Sequence, residues 1–293
     1  MDDGGYGDLD WLLDQAAGAG RRVLLTLGMK APGWPEFFIP DRLRPDARAG
    51  SDVAAASPAL RAGALAFLAS TVARYRGRTE VAAWQVENEP LNRSGPLRWW
   101  IGPEFLAEEI LAVRDQDGTR PLALNVFCRF SWRLDAVSSR HGGRLARLLT
   151  APGRPPEAET LAMLRPGDIL GLDVYRRIAS LSRGRVRVES ARAWQANAGR
   201  WLGRAEREGR LAWVTEAQAE PWEPAGPAGR PSPGAPLTCG PDDLALIVDG
   251  LAAAGHMTIL LWGAEHWLAR EDAGDPAWVA AVRSLAGRRP LGA

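Results

Sequence analysis

Six short apolar runs recur along this chain, separated by segments with helical periodicity. The runs are Arg22–Leu27, Val81–Glu87, Pro121–Phe127, Asp168–Tyr175, Arg210–Thr215 and His256–Trp262. The first reads Val-Leu-Leu-Thr-Leu, apolar on both faces as a strand inside a parallel sheet should be. Such strands alternating with amphipathic helices predict an α/β fold on a parallel sheet. Helices are expected from Asp8 to the stop at Gly18 and Gly20, and from Ser57 to Tyr75, where Ser57 is a good N-cap and Pro58 suits the first helical position. Others are expected over Gly102–Arg114, Ser190–Glu208, Pro241–Ala254 and Pro276–Ala286. Two more short helices should flank the Pro-rich stretch Ala151–Pro156, between Arg129 and Arg165. The Pro- and Gly-rich segment Pro221–Pro241 is too long for a plain connection and reads as a lid or a disordered loop. No break in composition marks a second domain, so residues 1–293 read as one.

Two stretches carry the chemistry: Trp84-Gln85-Val86-Glu87-Asn88-Glu89-Pro90 and Trp213-Val214-Thr215-Glu216. Each reads as a buried strand ending in a glutamate. Glu89 and Glu216 are distant in sequence and meet only if the fold gathers strand ends. A closed βα barrel does so, because its strands all point their C-terminal ends at one face. Two carboxylates facing each other there are the machinery of glycoside hydrolysis. With retention, one acid protonates the leaving oxygen and one carboxylate attacks, the pair standing about 5–5.5 Å apart. Glu89 is the candidate acid/base, its pKa expected to be raised by burial and nearby negative charge. Glu216 is the candidate nucleophile and must stay ionised. Asn88 is placed to hydrogen-bond the sugar 2-hydroxyl, and Tyr175 to donate to Glu216.

Taken singly, these residues have plainer explanations. A glutamate at a strand end is commonly a solvated cap or an ion-pair partner. Asn-Glu-Pro can be a turn. Tyr175 alone is more often core or surface. Glu87 lies two residues before Glu89, so on a strand it points to the same face, one layer deeper. It reads as an interior partner, and Glu220 is the second choice for nucleophile.

Thirteen tryptophans stand against three tyrosines. Trp11, Trp194, Trp201 and Trp278 sit in helical patterns and read as core. Trp34, Trp99, Trp100, Trp222, Trp262 and Trp267 fall at strand ends or in the loops after them, where an indole offers a flat apolar face and a polar N–H to a sugar ring.

Together the motifs resemble clan A glycoside hydrolases, particularly the cellulase-like members of family 5. Trp84–Pro90 is similar to their fourth-strand motif and Val214-Thr215-Glu216 to their seventh-strand nucleophile. Leu261-Trp262-Gly263 resembles the eighth-strand tryptophan flooring the −1 sugar site. Asp173-Val174-Tyr175 resembles the sixth-strand His-x-Tyr, with Asp in place of His. The resemblance implies a (β/α)8 TIM barrel and retaining hydrolysis of a β-linked oligo- or polysaccharide. Glu89 and Glu216 would be catalytic, with Asn88, Tyr175 and Trp262 around the −1 sugar and Trp34, Trp99, Trp100, Trp222 and Glu265 as further candidates for contacting substrate. It implies no cofactor.

Counting back from the fourth strand, Arg22–Leu27 is the third. The chain is therefore expected to carry six βα units, strands three to eight. It would be an N-terminally short version of the fold, with Val23–Leu27 and Ile259–Leu261 as unpaired, aggregation-prone edges. It has no counterpart of the second-strand arginine that binds the family's nucleophile.

Composition narrows the alternatives. The formal charge of +1 supplies no basic field for nucleic acid. No apolar run reaches the roughly 18 residues of a membrane span. The acidic, Gly-rich start is unlike a signal peptide, and no compartment or oligomeric state is assigned. Three histidines without metal-ligand spacing argue against a metal hydrolase. Cys128 and Cys239 read as free thiols. Nearly every cation is arginine, and Lys30 is the sole lysine. The rival from another class is a carbohydrate-binding barrel without catalysis, suggested by the missing arginine and the Asp173 substitution.

Overall fold

The computed structural model describes residues 5–33, 35–128, 155–182, 185–223 and 236–287. They fall into two compact units. The first runs from Gly5 to Val126 and resumes up to Leu170; the second takes Phe127, Cys128 and everything from Gly171.

In the first unit, helix α1 (Gly7–Gly18) leads to strand β1 (Val23–Leu27), helix α2 (Pro58–Tyr75), strand β2 (Val81–Val86), helix α3 (Pro103–Gln116), strand β3 (Leu122–Phe127) and helix α4 (Pro156–Met163). The strands are ordered β1-β2-β3 and run parallel. Helix α2 starts as its sequence dictates: the Ser57 hydroxyl accepts the Leu60 N–H at 3.2 Å, and Pro58 needs no donor there. Its buried side chains Leu60, Leu68 and Val72 join Trp84, Val86, Leu122, Leu124, Phe105 and Leu106 in the core. Each is worth about 1.5–3 kcal/mol of burial. Trp84 is fully buried because its indole N–H finds Asp117 at 3.0 Å.

Strand β4 (Ile169–Val174), which lies in the second unit from Gly171 on, is followed there by strands β5 (Arg177–Ser182) and β6 (Arg185–Ser190), helix α5 (Trp194–Arg207), strand β7 (Leu211–Gln218), helix α6 (Asp243–Ala253), strand β8 (Ile259–Trp262) and helices α7 (Ala264–Asp272) and α8 (Ala277–Ala286). Here the order is β4-β7-β8, while β5 and β6 form an antiparallel hairpin. Six parallel strands alternating with helices make this a TIM-barrel-type α/β fold, with the expected six βα units. Among the described residues, β1 has only β2 as a strand partner and β8 only β7, as expected of edges.

Several local readings change. Ser190 does not start a helix: it ends β6, paired with Arg177, and the helix begins at Trp194. The hairpin was missed because its alternating Arg-Val-Arg-Val is solvent-exposed. Helix α7 was also missed. Strand β7 runs three residues past its expected end at Thr215 and carries Glu216 within it. Trp11 is 60% exposed instead of core, whereas Trp194, Trp201 and Trp278 are buried as expected. Cys128 and Cys239 are buried and form no disulfide, and burial pushes the Cys239 thiol up to about 12, which makes it inert at neutral pH. No described helix is long and apolar enough to cross a membrane. Of the two helices expected between Arg129 and Arg165, α4 is one; residues 129–154, 224–235 and Trp34 lie outside the described residues.

Candidate active site

Glu89 belongs to the first unit and Glu216 to the second, and each is held by its own surroundings. Strand β2 stops at Val86, and the next three residues form a tight turn. Glu87 has φ 60° and Glu89 φ 43°, left-handed values that side chains rarely adopt. Such strain costs on the order of 1–3 kcal/mol per residue and persists only where the surroundings over-determine it. Here they do. The Glu89 N–H donates to Asn125 Oδ1 at 2.7 Å, and Asn125 Nδ2 donates to Asn88 Oδ1 at 2.7 Å. Asn125 is the polar residue inside the otherwise apolar run of β3, which was its signal in the sequence.

Glu87 is wholly buried, as an interior partner should be. The strand alternation used to place it does not apply, because the strand has already ended. Its carboxylate accepts the Met29 N–H at 3.0 Å and the Lys30 N–H at 2.6 Å, tying the end of β1 to the end of β2. Gly28 is required above it: a Cβ there would lie 2.2 Å from the Glu87 carboxyl carbon, and φ is 130°. Beside Glu87 stands Glu109 of α3, also wholly buried. Burial raises the Glu109 carboxyl well above the ordinary range, and the charge on Glu87 raises it further. Burial raises the Glu87 carboxyl too, but the Lys30 and Met29 N–H groups and the Lys30 charge oppose that rise; Glu109 is the member of the pair that keeps its proton to higher pH.

In the second unit, Tyr175 follows β4 and donates its hydroxyl to Glu216 Oε2 at 2.7 Å, the contact expected from the sequence. Its ring stacks on Phe127, with centroids 5.6 Å apart, and tilts against Trp222 at 4.9 Å. Glu216 is buried, and Trp222 is 41% exposed, leaving part of its indole open. Asp173 is buried and accepts the Thr215 hydroxyl at 2.7 Å, an interior bond that crosses from β4 to β7. The Trp262 indole N–H donates to Glu220 at 3.1 Å. Burial raises the Glu220 carboxyl, and the nearby Glu265 charge adds to the effect. The structure thus brings together Glu216, Tyr175 and Trp222, and separately Trp262, Glu220 and Glu265. Trp99, in the first unit, is 4% exposed, its N–H is spent on the Arg48 carbonyl and its ring meets Phe37 edge-on. This packing corrects its reading as a sugar platform, since no free indole face remains.

The Tyr175–Glu216 bond gives a direct expectation. Hydrogen bonds to charged groups are worth about 1.5–3 kcal/mol. On the sequence-based assignment of Glu216 as nucleophile, Tyr175→Phe is expected to lower kcat about 10- to 100-fold with the fold intact, as checked by steady-state kinetics beside a thermal melt.

No family model matches the chain, and neither does any curated protein. Solved structures do resemble it. The β-galactosidase of Bacillus circulans sp. alkalophilus aligns over 88% of this chain and 42% of its own, at 12% identity and a TM-score of 0.51. The intracellular xylanase of Thermoanaerobacterium saccharolyticum aligns over 87% of this chain and 70% of its own, at 12% identity and a TM-score of 0.50. The chain shares the TIM-barrel-type fold of these two structures. A GH10 endoxylanase from a sugarcane soil metagenome aligns over 72% of this chain at 14% identity and a TM-score of 0.43, and the chain spans 52% of that enzyme's length.

Proposed function

We propose that this protein hydrolyses a β-linked oligo- or polysaccharide with retention of configuration, Glu89 acting as acid/base and Glu216 as nucleophile. The observation that carries the reading is the hydrogen bond from Tyr175 to Glu216. It orients a buried carboxylate on a strand that the sequence motifs had singled out. The over-determined Glu89 turn and the glycosidase fold support it. In this reading Glu216 attacks the anomeric carbon as Glu89 protonates the leaving oxygen. Glu89, now a base, then takes a proton from the water that releases the sugar. Asn88, Trp262, Trp222 and Glu265 are proposed to contact the sugar, without cofactor or metal.

The test is the stereochemistry of the first product. The protein is given a panel of aryl β-glycosides, and the anomeric proton of the freshly released sugar is followed by NMR. The β-anomer is expected. An initial α-anomer would overturn the retaining mechanism, and sugar binding without cleavage would favour a non-catalytic carbohydrate-binding barrel.

A further inference from the structure

The single lysine of this chain is not on its surface. Lys30 is 0% exposed, three residues past the end of β1. Its ammonium donates to the carbonyl of Glu89 at 2.5 Å and to the carbonyl of Asn92 at 3.2 Å. It lies 3.7 Å from the Glu36 carboxylate and 5.9 Å from the centre of the Phe37 ring. A desolvated ammonium is costly to bury, by several kcal/mol, unless its hydrogens and charge are answered. Here two carbonyls and a carboxylate answer them.

The backbone of Lys30 is fixed as firmly as its side chain. Its N–H donates to Glu87, its carbonyl accepts the Asn88 N–H at 2.7 Å, and it bridges to Phe37 on the returning arm of its own loop. Glu89 is therefore gripped at both polar groups of its main chain. Asn125, from β3, holds the N–H, and Lys30, from the end of β1, holds the carbonyl. A non-glycine residue at φ 43° that is held from two neighbouring strands has little freedom to relax toward ordinary backbone angles.

We infer that Lys30 is a positioning residue for general-acid catalysis: by clamping the Glu89 and Asn92 carbonyls, it keeps the strained turn closed and the Glu89 carboxyl aimed at the leaving oxygen. The inference rests on the assignment of Glu89 as acid/base. A misplacement of about 1 Å can cost on the order of 100-fold in rate, and general-acid catalysis contributes roughly 100- to 10,000-fold. The loss should fall on leaving groups that need a proton and spare those that do not.

The experiment measures kcat/KM across a series of aryl β-glycosides, from 2,4-dinitrophenyl to phenyl, for the wild-type protein, Lys30→Met and Glu89→Gln. Lys30→Met keeps the length of the side chain and removes its charge and donors. It is expected to lose about 100-fold on phenyl glycosides and only a few-fold on dinitrophenyl glycosides. Glu89→Gln should show the same selectivity more strongly. A uniform loss across the series in Lys30→Met, with Glu89→Gln selective, overturns the role of Lys30 and leaves Glu89 as the acid. A uniform loss in Glu89→Gln, or a wild-type protein inactive on the whole series, overturns the assignment of Glu89 and this inference with it. If Lys30→Met does not fold, reductive methylation of the native wild-type protein gives the second measurement. Lys30 should resist modification until the protein is denatured, and ready methylation in the native state would overturn the clamp.

Discussion

Glu216→Ala is expected to lower turnover of an aryl β-glycoside by a factor on the order of 10,000 or more, the scale seen when a residue that acts as part of a catalytic unit is removed. Glu216 is buried, so the truncation leaves a space the size of a carboxylate beside the Tyr175 hydroxyl. A small anion such as azide fits that space. It should restore part of the activity and yield an α-glycosyl azide, because it attacks once, from the side the carboxylate occupied. Mass spectrometry and NMR of the product identify it. Wild-type rates in Glu216→Ala would sink the assignment, and a β-configured azide product would mean that a second nucleophile had acted first. Glu220, the alternative from the sequence, is expected to tolerate Glu220→Gln far better, since its carboxyl is engaged with the Trp262 indole.

The second large effect is on stability. Glu109 is wholly buried and keeps its proton in the folded protein to well above the ordinary carboxyl range, through burial first and the Glu87 charge second. Below pH 4 folded and unfolded chains both hold that proton, and the group has no net effect. Above about pH 4.5 the unfolded chain releases it and the folded one does not. Folding stability then falls by up to about 1.4 kcal/mol per pH unit until Glu109 ionises in the folded state. Glu109→Gln keeps the shape of the side chain but removes the ionisation. Its melting temperature should match wild type near pH 4 and exceed it at pH 8. A difference independent of pH would show that Glu109 does not carry the proton.

The parallel strands and most helices were legible in sequence because they rest on local patterns: apolar runs, the Ser57-Pro58 cap and Gly stops. The Glu216–Tyr175 contact was legible because each residue closes a recognisable strand motif. The β5–β6 hairpin was not, since its side chains bury little and its arginines mask the alternation. Helix α7 starts from Gly263 at φ 141° without a side-chain cap, so no start signal precedes it. Trp11 fits a helical apolar pattern, yet its face of α1 finds no cover among the described residues; Leu12 beside it is 55% exposed. Lys30 carried no signal at all. A lone lysine in a Pro- and Phe-rich loop looks solvated until the chain folds the Glu89 turn onto it. The Glu87–Glu109 pair was hidden for the same reason, because proximity between a strand end and a helix is a tertiary fact.

Strand β7 pairs Val214 with Ile259 and Ala217 with Leu261, taking three steps where β8 takes two. The extra residue falls in the stretch that holds Thr215 and Glu216. Such an insertion bends a strand and re-aims its side chains, whereas a one-residue slip in a regular ladder exchanges the two faces. The direction in which Glu216 points is thus written in the number of residues and not only in their identity. Substitution scanning of β7 would pass over this information. Deleting Thr215, the one residue besides Glu216 between Val214 and Ala217, would erase it while keeping the glutamate itself in the chain.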